Sequence, residues 1–316
     1  MSARRSGSPA ALALLLALVA AGPAPSSAAP LRDGEKLTYR VSWAVLPGAG
    51  EIKITAAAGP APAALPASAT SATSTASVSP AASPQLLVTT TTRTRGVARM
   101  LMPFDAEARS VFDLATGRLV SLHETSAQRS KRSEHSVTFD HASRLALYVR
   151  PGASDGPRPL PFPAGDPTDL ILGLLQTRTW DLAPDAKRDT LVLFDDDFYE
   201  LTIYRKRDEE VRTSLGTFRA AVLEPRMEKT APKGMFKRGS TVRVWISQDE
   251  RRLPVKFEVE FKVGTGTATL DAYEPPRAGA AALPVPSSPA GTGAPAAVPA
   301  AARPAPASPD GKDSRP

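Results

Sequence analysis

From Lys36 the chain alternates: Leu37, Tyr39, Val41 and Trp43 fall on one side of an extended segment and Lys36, Thr38, Arg40 and Ser42 on the other, the period of a strand with one buried face. "GAGEIKITA" repeats the pattern after a Pro-Gly turn, and "QLLVTTTTRTRG", "AEARSVFDL", "GRLVSLHETS", "EHSVTFD" and "RLALYVR" follow. A second series comprises "DTLVLF", "FYELTIYRK", "EEVRTSL", "GTFRAAVLEPRM", "STVRVWISQ", "RLPVKFEVEF" and "GTATLDAY". Connections of a few residues, without strand and helix alternation, predict an all-β, mainly antiparallel fold: a curved meander forming a sheet, roll or barrel. One helix interrupts it, in "GDPTDLILGLLQTRTW". Asp166 reads as its N-cap, Pro167 as its first residue and Asp169 as a first-turn acid, while Leu170, Ile171, Leu174 and Leu175 recur at helical spacing. This helix is expected to pack on the curved sheet as a plug or lid.

Two turns echo each other, "FDLATGRLVSL" at 112–122 and "FDHASRLALYV" at 139–149. In each, an Asp whose side chain binds nearby backbone N–H groups opens a turn, so both read as hairpin corners. "SQDERRLPV" at 247–255 closes the strands around Trp245 and Phe257 in the same way.

The ends of the chain have a different composition. Residues 1–28 carry Arg4 and Arg5, the apolar run Ala10–Ala21 and a stretch of small residues, the pattern of a secretory signal. The apolar run is shorter than the roughly 20 residues that span a bilayer, so the mature chain is expected to start near Ala29, without a transmembrane segment, in the periplasm. No cysteine occurs, so a lipid-attachment cysteine, disulfides and thiol chemistry are not expected. Residues 56–84 and 275–316 are Ala/Pro/Ser-rich and too poor in large apolar side chains to offset their ordering entropy. They read as a disordered loop insertion and a disordered tail. About 215 residues remain for a single β-rich domain spanning 29–274. The net charge of +7 is spread among alternating acids and bases without aromatic interleaving, a pattern that does not point to nucleic acid.

Candidate chemistry is sparse. Asp195, Asp196 and Asp197 stand between "LVLF" and "FYELTIY", where the chain must reverse. They lack the glycine and the ligand spacing of a calcium loop, so they read as a solvated corner. With a loop centred near Arg129, His123 faces His135 across a hairpin, a pair able to share a metal, but two solvent-facing histidines are the preferred account and a one-residue slip would separate them. Glu258 and Glu260 alternate with Lys256 and Lys262 as on an exposed strand face. No nucleophile elbow and no phosphate loop occurs. Tyr39, Trp43, Trp245 and Phe257 mark inward faces of strands near both ends of the domain. Those strands are expected to meet, and the four aromatics to pack a core or to line a ligand site.

Four phrases together resemble one exported bacterial family, the domain of unknown function 3108: "DGEKLTYRVSWAVLPGAGEIKI", "HSVTFD", "DPTDLILGLLQTR" and "TVRVWISQDERRLPVKFEVEFKVGTGTATL". The resemblance covers roughly Leu31 to Tyr273 and implies a β-rich envelope protein. It transfers no catalytic residue.

These features point to a non-catalytic periplasmic domain, without a cofactor, that binds a lipid-like envelope ligand in a concave face or a polysaccharide along its rim. The alternatives are an envelope hydrolase or lyase whose carboxylates converge with His123 or His135, and a scaffold that pairs with a protein through a sheet edge.

Overall fold

The computed structural model describes residues 29–44, 46–59, 83–237, 239–262 and 264–280. The signal-like segment 1–28, most of the insertion and the tail beyond Ala280 lie outside the described residues.

A single 15-stranded sheet organises the domain. Its first half comprises β1 (Lys36–Trp43), β2 (Leu46–Gly59), β3 (Gln85–Thr94), β4 (Phe104–Asp113), β5 (Leu119–Gln128), β6 (Lys131–Asp140), β7 (Leu145–Val149) and β8 (Arg158–Pro161). The second half comprises β9 (Thr168–Asp169), β10 (Lys187–Phe194), β11 (Asp197–Thr213), β12 (Gly216–Arg226), β13 (Thr241–Ser247), β14 (Pro254–Phe261) and β15 (Gly264–Glu274). Successive strands pair antiparallel throughout except β9, which runs parallel to β10. β2 continues four residues into the expected insertion, Ala56–Gly59 pairing with Gln85–Val88, because alanine and glycine backbones complete the ladder whatever their side chains. "EEVRTSL" is likewise no separate strand: it continues β11 past a register shift between Arg205 and Asp208.

The first and last strands do meet, Lys36 opposite Glu274 through Trp43 opposite Gly266. That pairing puts the middle of the chain at the two free edges, β8 and β9, so the sheet curls without closing through hydrogen bonds. Both edges are short. β8 has four residues, two of them Pro159 and Pro161, and a strand lacking those donors is a poor template for another. Side chains span the gap instead: Arg158 Nη2 donates to Asp196 Oδ2 at 2.6 Å, and Phe162 lies 5.4 Å from Phe198, ring to ring.

Among the described residues there are two short α-helices. α1 (Gly96–Leu101), between β3 and β4, buries no residue; lacking an apolar face against the core, it has no periodic signal in the sequence. α2 (Leu170–Gln176) is the expected packed helix, begun three residues late. Asp169, not Asp166, caps it by accepting from Leu172 N at 2.9 Å. Residues 168–169 are held extended against Val192 and Leu193, so the helix can begin only after them, and Asp166 instead pairs with Arg118 at 2.7 Å. Leu172 and Leu175 enter one buried cluster with Leu37, Tyr39, Leu86 and Phe112, while Leu170 and Leu174 enter a second with Leu201, Ile203 and Val244. α2 therefore ties the two together. It lies so close that a Cβ on Gly173 would stand 2.9 Å from Val192 Cγ1.

Three of the phrases carrying the family resemblance converge on one buried ion pair. Arg178 Nη1 donates to Glu35 Oε1 at 2.7 Å, with both side chains removed from solvent. Arg178 Nη2 donates to the Arg251 carbonyl at 2.8 Å, and Glu35 accepts from Arg32 N at 3.0 Å and Tyr273 O–H at 3.3 Å. The pair ties the segment before β1 to the segment after α2 and to the β13–β14 turn.

The expected corners are present. Asp113 Oδ1 accepts from Ala115 N at 2.9 Å and Thr116 N at 2.8 Å, and Asp140 Oδ1 from Ala142 N at 3.0 Å and Ser143 N at 3.2 Å. Among the described residues no helix is long and apolar enough to cross a membrane.

Candidate functional site

Strand register stacks three cross-strand rows on one face of β3–β6, and the outer two, with Leu122 of the innermost, line a cleft. Val88, Ser110, Leu122 and Val137 align in the deepest row, Thr90, Ala108, Glu124 and His135 in the next, and Thr92, Ala106, Ser126 and Ser133 at the mouth. Side chains two apart on a strand share a face, so successive rows differ in chemistry: the innermost is apolar but for Ser110, the next adds Glu124 and His135 to Thr90 and Ala108, and the outermost is small and hydroxylic. The small residues leave room: the cleft measures about 370 Å³, and its opposite wall is Asp169, Leu170 and Ile171 at the start of α2, Leu193, Phe194 and Asp195 at the end of β10, and Met235. Met235 sits on a turn that passes directly over Phe194. Gly234 permits the approach, with φ +57° and a position where a Cβ would stand 2.8 Å from the Phe194 ring.

Three ionisable groups converge there. His135 Nε2 stands 3.7 Å from Glu124 Oε2, and the buried imidazole stacks on Tyr148 with centroids 5.2 Å apart. Burial holds His135 below its ordinary value, so it is neutral near pH 7. Burial raises the Glu124 carboxyl, and the charges of Asp169 and Asp195 raise it further. Asp169 is also raised by burial, against the opposing effect of its bonds from Leu172 N and from Ser110 O–H at 3.0 Å. The cleft thus combines apolar surface with two carboxyl groups whose ionisation is disfavoured.

The expected face-to-face pair of histidines is not formed. Gln128 pairs with Lys131 around a two-residue turn, Arg129–Ser130, which sets Glu124 opposite His135 and Ser136 opposite His123. Arg129 adopts φ +55° in that turn, and no Asn-Gly signal marks it in the sequence. His123 faces the other side, 3.1 Å from Glu134. Among the described residues no three His, Cys, Asp or Glu side chains are grouped to hold a metal.

The triple aspartate is a corner, as expected. Asp195 and Asp196 form the two-residue β10–β11 turn, paired with Lys233 at 3.8 Å and, for Asp196, with Arg158. It also borders the cleft through Asp195. The four aromatics expected at a ligand site lie elsewhere. Tyr39 is buried, donating to the Pro254 carbonyl at 2.9 Å, edge-on to half-buried Phe257 at 5.3 Å. Trp245 is buried with Nε1 donating to Glu209 at 2.7 Å. Trp43 is partly exposed beside Phe261 at 5.4 Å. Glu258 takes Lys256 at 2.6 Å and Arg243 at 3.1 Å, an ordinary paired strand face. Glu124 and Asp169, absent from the sequence expectations as site residues, are found only through register and the position of the α2 cap.

Residues 38–271 match the model of a family described as a protein of unknown function, DUF3108. No curated protein matches the chain. Among solved structures, a beta-barrel-like protein of the domain of unknown function DUF1849 from Brucella abortus aligns over 77% of this chain and 99% of its own, at 6% identity and TM-score 0.44. A "putative lipoprotein" from Parabacteroides distasonis aligns over 77% of this chain and 95% of its own, at 10% identity and TM-score 0.25.

Proposed function

We propose that this chain, which belongs to the DUF3108 family, is an exported envelope protein that binds a small amphiphile in the cleft between β3–β6 and α2. The apolar part of the ligand lies against Leu122, Leu170, Ile171 and Leu193, and a hydroxyl- or amine-bearing head meets Glu124, Asp169, Thr90 and Thr92. The observation that carries this reading is the lining itself, with Leu122, Leu170, Ile171 and Leu193 apolar and Glu124, His135, Asp169 and the hydroxyls of Thr90, Thr92, Ser126 and Ser133 polar. Its size, about 370 Å³, is at the lower end of ligand cavities. An amine head would supply the countercharge that Glu124 and Asp169 lack.

Native mass spectrometry of the gently purified protein, followed by solvent extraction, tests this. A small amphiphile is expected in roughly equimolar amount, and Ala106→Trp, which fills the mouth, should empty the cleft. An empty wild-type protein that also fails to take up an apolar fluorescent probe overturns the proposal.

One observation favours hydrolysis instead: a carboxyl raised by burial stands 3.7 Å from a neutral imidazole, and perturbed groups in a cleft are the material of acid–base chemistry. Under that reading an extracted ligand is turned over by wild-type protein and left intact by Glu124→Gln. Under the binding reading neither protein changes it.

A further inference from the structure

The meander alternates ends, so the β1–β2, β3–β4, β5–β6, β10–β11 and β14–β15 connections all lie at one end of the sheet. The cleft mouth lies there too, bounded by Asp195 and by the row from Thr92 to Ser133. At this end α1 holds apolar side chains out of the fold: Val97 is 59% exposed, Met100 85%, Leu101 63% and Met102 52%. Four consecutive-turn apolar residues with none buried are not core that failed to pack, because α1 is firmly attached. Arg95 N donates to Ala49 O at 2.8 Å, and Arg129 of the β5–β6 turn donates from Nη2 to Leu101 O at 2.9 Å.

The surround is basic. Arg93, Arg95 and Arg99 flank the helix and share the acids Glu51 and Asp105. Arg129, Lys131 and Arg132 on the neighbouring turn are exposed and have no ion pair among the described residues. Trp43 on the β1–β2 hairpin, 39% exposed, occupies the same end. The chain enters β1, crosses from β2 to β3, and leaves β15 at the opposite end.

Exposed Met and Leu on a short helix, three exposed bases without an ion pair on the adjoining turn and an amphipathic Trp are the composition of a surface that enters a lipid interface. We infer that this end docks on an anionic lipid surface, inserting Val97, Met100, Leu101 and Met102 among the headgroups while Arg129, Lys131 and Arg132 meet lipid phosphates. The inference is independent of what the cleft holds, although it would place the cleft mouth at the bilayer.

Flotation of the purified domain with vesicles of equal parts phosphatidylglycerol and phosphatidylcholine, against phosphatidylcholine alone, tests it. Binding to the anionic vesicles is expected, falling as salt rises. Trp180 and Trp245 are 5% and 3% exposed, so a blue shift in emission on binding reports Trp43 and should vanish in Trp43→Phe. Met100→Ser/Leu101→Ser should weaken partitioning about tenfold or more. Replacing Arg129, Lys131 and Arg132 by Ser should cost roughly fivefold per charge on anionic vesicles. Leu114→Ser/Leu215→Ser, exposed at the opposite end, should bind as wild type, with circular dichroism confirming that every variant is folded. Wild-type protein that stays off anionic vesicles, or loss that is equal for the two apolar double variants, overturns the inference. So does self-association abolished by Met100→Ser/Leu101→Ser without vesicle binding, which would assign the tip to a second copy.

Discussion

Removing either partner of the Glu35–Arg178 pair leaves a charge stranded where water does not reach. Glu35 is 0% exposed and Arg178 1%. Breaking such a pair typically costs about 3–5 kcal/mol, whereas replacing both charges together is often close to neutral. Among the described residues, Arg178→Met leaves the Glu35 carboxylate with Arg32 N and Tyr273 O–H as donors. Glu35→Gln keeps an acceptor for those two groups but strands the guanidinium. Among the described residues Arg178 Nε has no hydrogen-bond partner, so part of the burial cost is present in the wild type and is relieved by methionine. At about 2–4 °C per kcal/mol for a domain of this size, each single variant should lower Tm by about 6–20 °C. The double variant Glu35→Gln/Arg178→Met should recover most of that, giving a coupling of at least about 2 kcal/mol in a double-mutant cycle. Urea unfolding followed by emission of buried Trp180 and Trp245, with circular dichroism in parallel, provides the four free energies. A single variant within about 1 kcal/mol of wild type, or a double variant whose loss equals the sum of the two, would falsify the reasoning and make the pair a solvated contact.

Two further outcomes follow from the cleft and its helix. Gly173→Ala puts a methyl group 2.9 Å from Val192 and 3.0 Å from Thr168 and should destabilise the domain by about 1–3 kcal/mol through overpacking, despite alanine's better helix propensity; a more stable variant in thermal melts contradicts that packing. Glu124→Gln should behave oppositely and with pH. The folded state holds this carboxyl above its ordinary value of 4.5, so its charged form costs stability above the raised value, and the cost disappears below 4.5, where folded and unfolded chains are both protonated. The glutamine variant should therefore be more stable than wild type at neutral pH, with the gain fading on acidification; a gain that grows as pH falls refutes the assignment.

The period-two runs and the Asp-centred corners determined on their own that this is an antiparallel meander, because alternation and side-chain-to-backbone turn bonds act over a few residues. Tyr39, Trp43, Trp245 and Phe257 were enough to bring the first strands to the last. Tertiary structure decided the rest. Whether meeting ends close a barrel depends on what the middle of the chain does, and a four-residue β8 with two prolines beside a two-residue β9 leaves the edges unjoined. The cap of α2 depended on a pairing of Thr168 and Asp169 with β10 that no local signal announces. The cleft depended most on long-range placement: a single residue of register at Arg129–Ser130 sets Glu124, rather than His123, opposite His135, and a shift of one on a strand exchanges its two faces. Composition and periodicity act between neighbours in sequence, while the chemistry of this cleft arises between neighbours across strands.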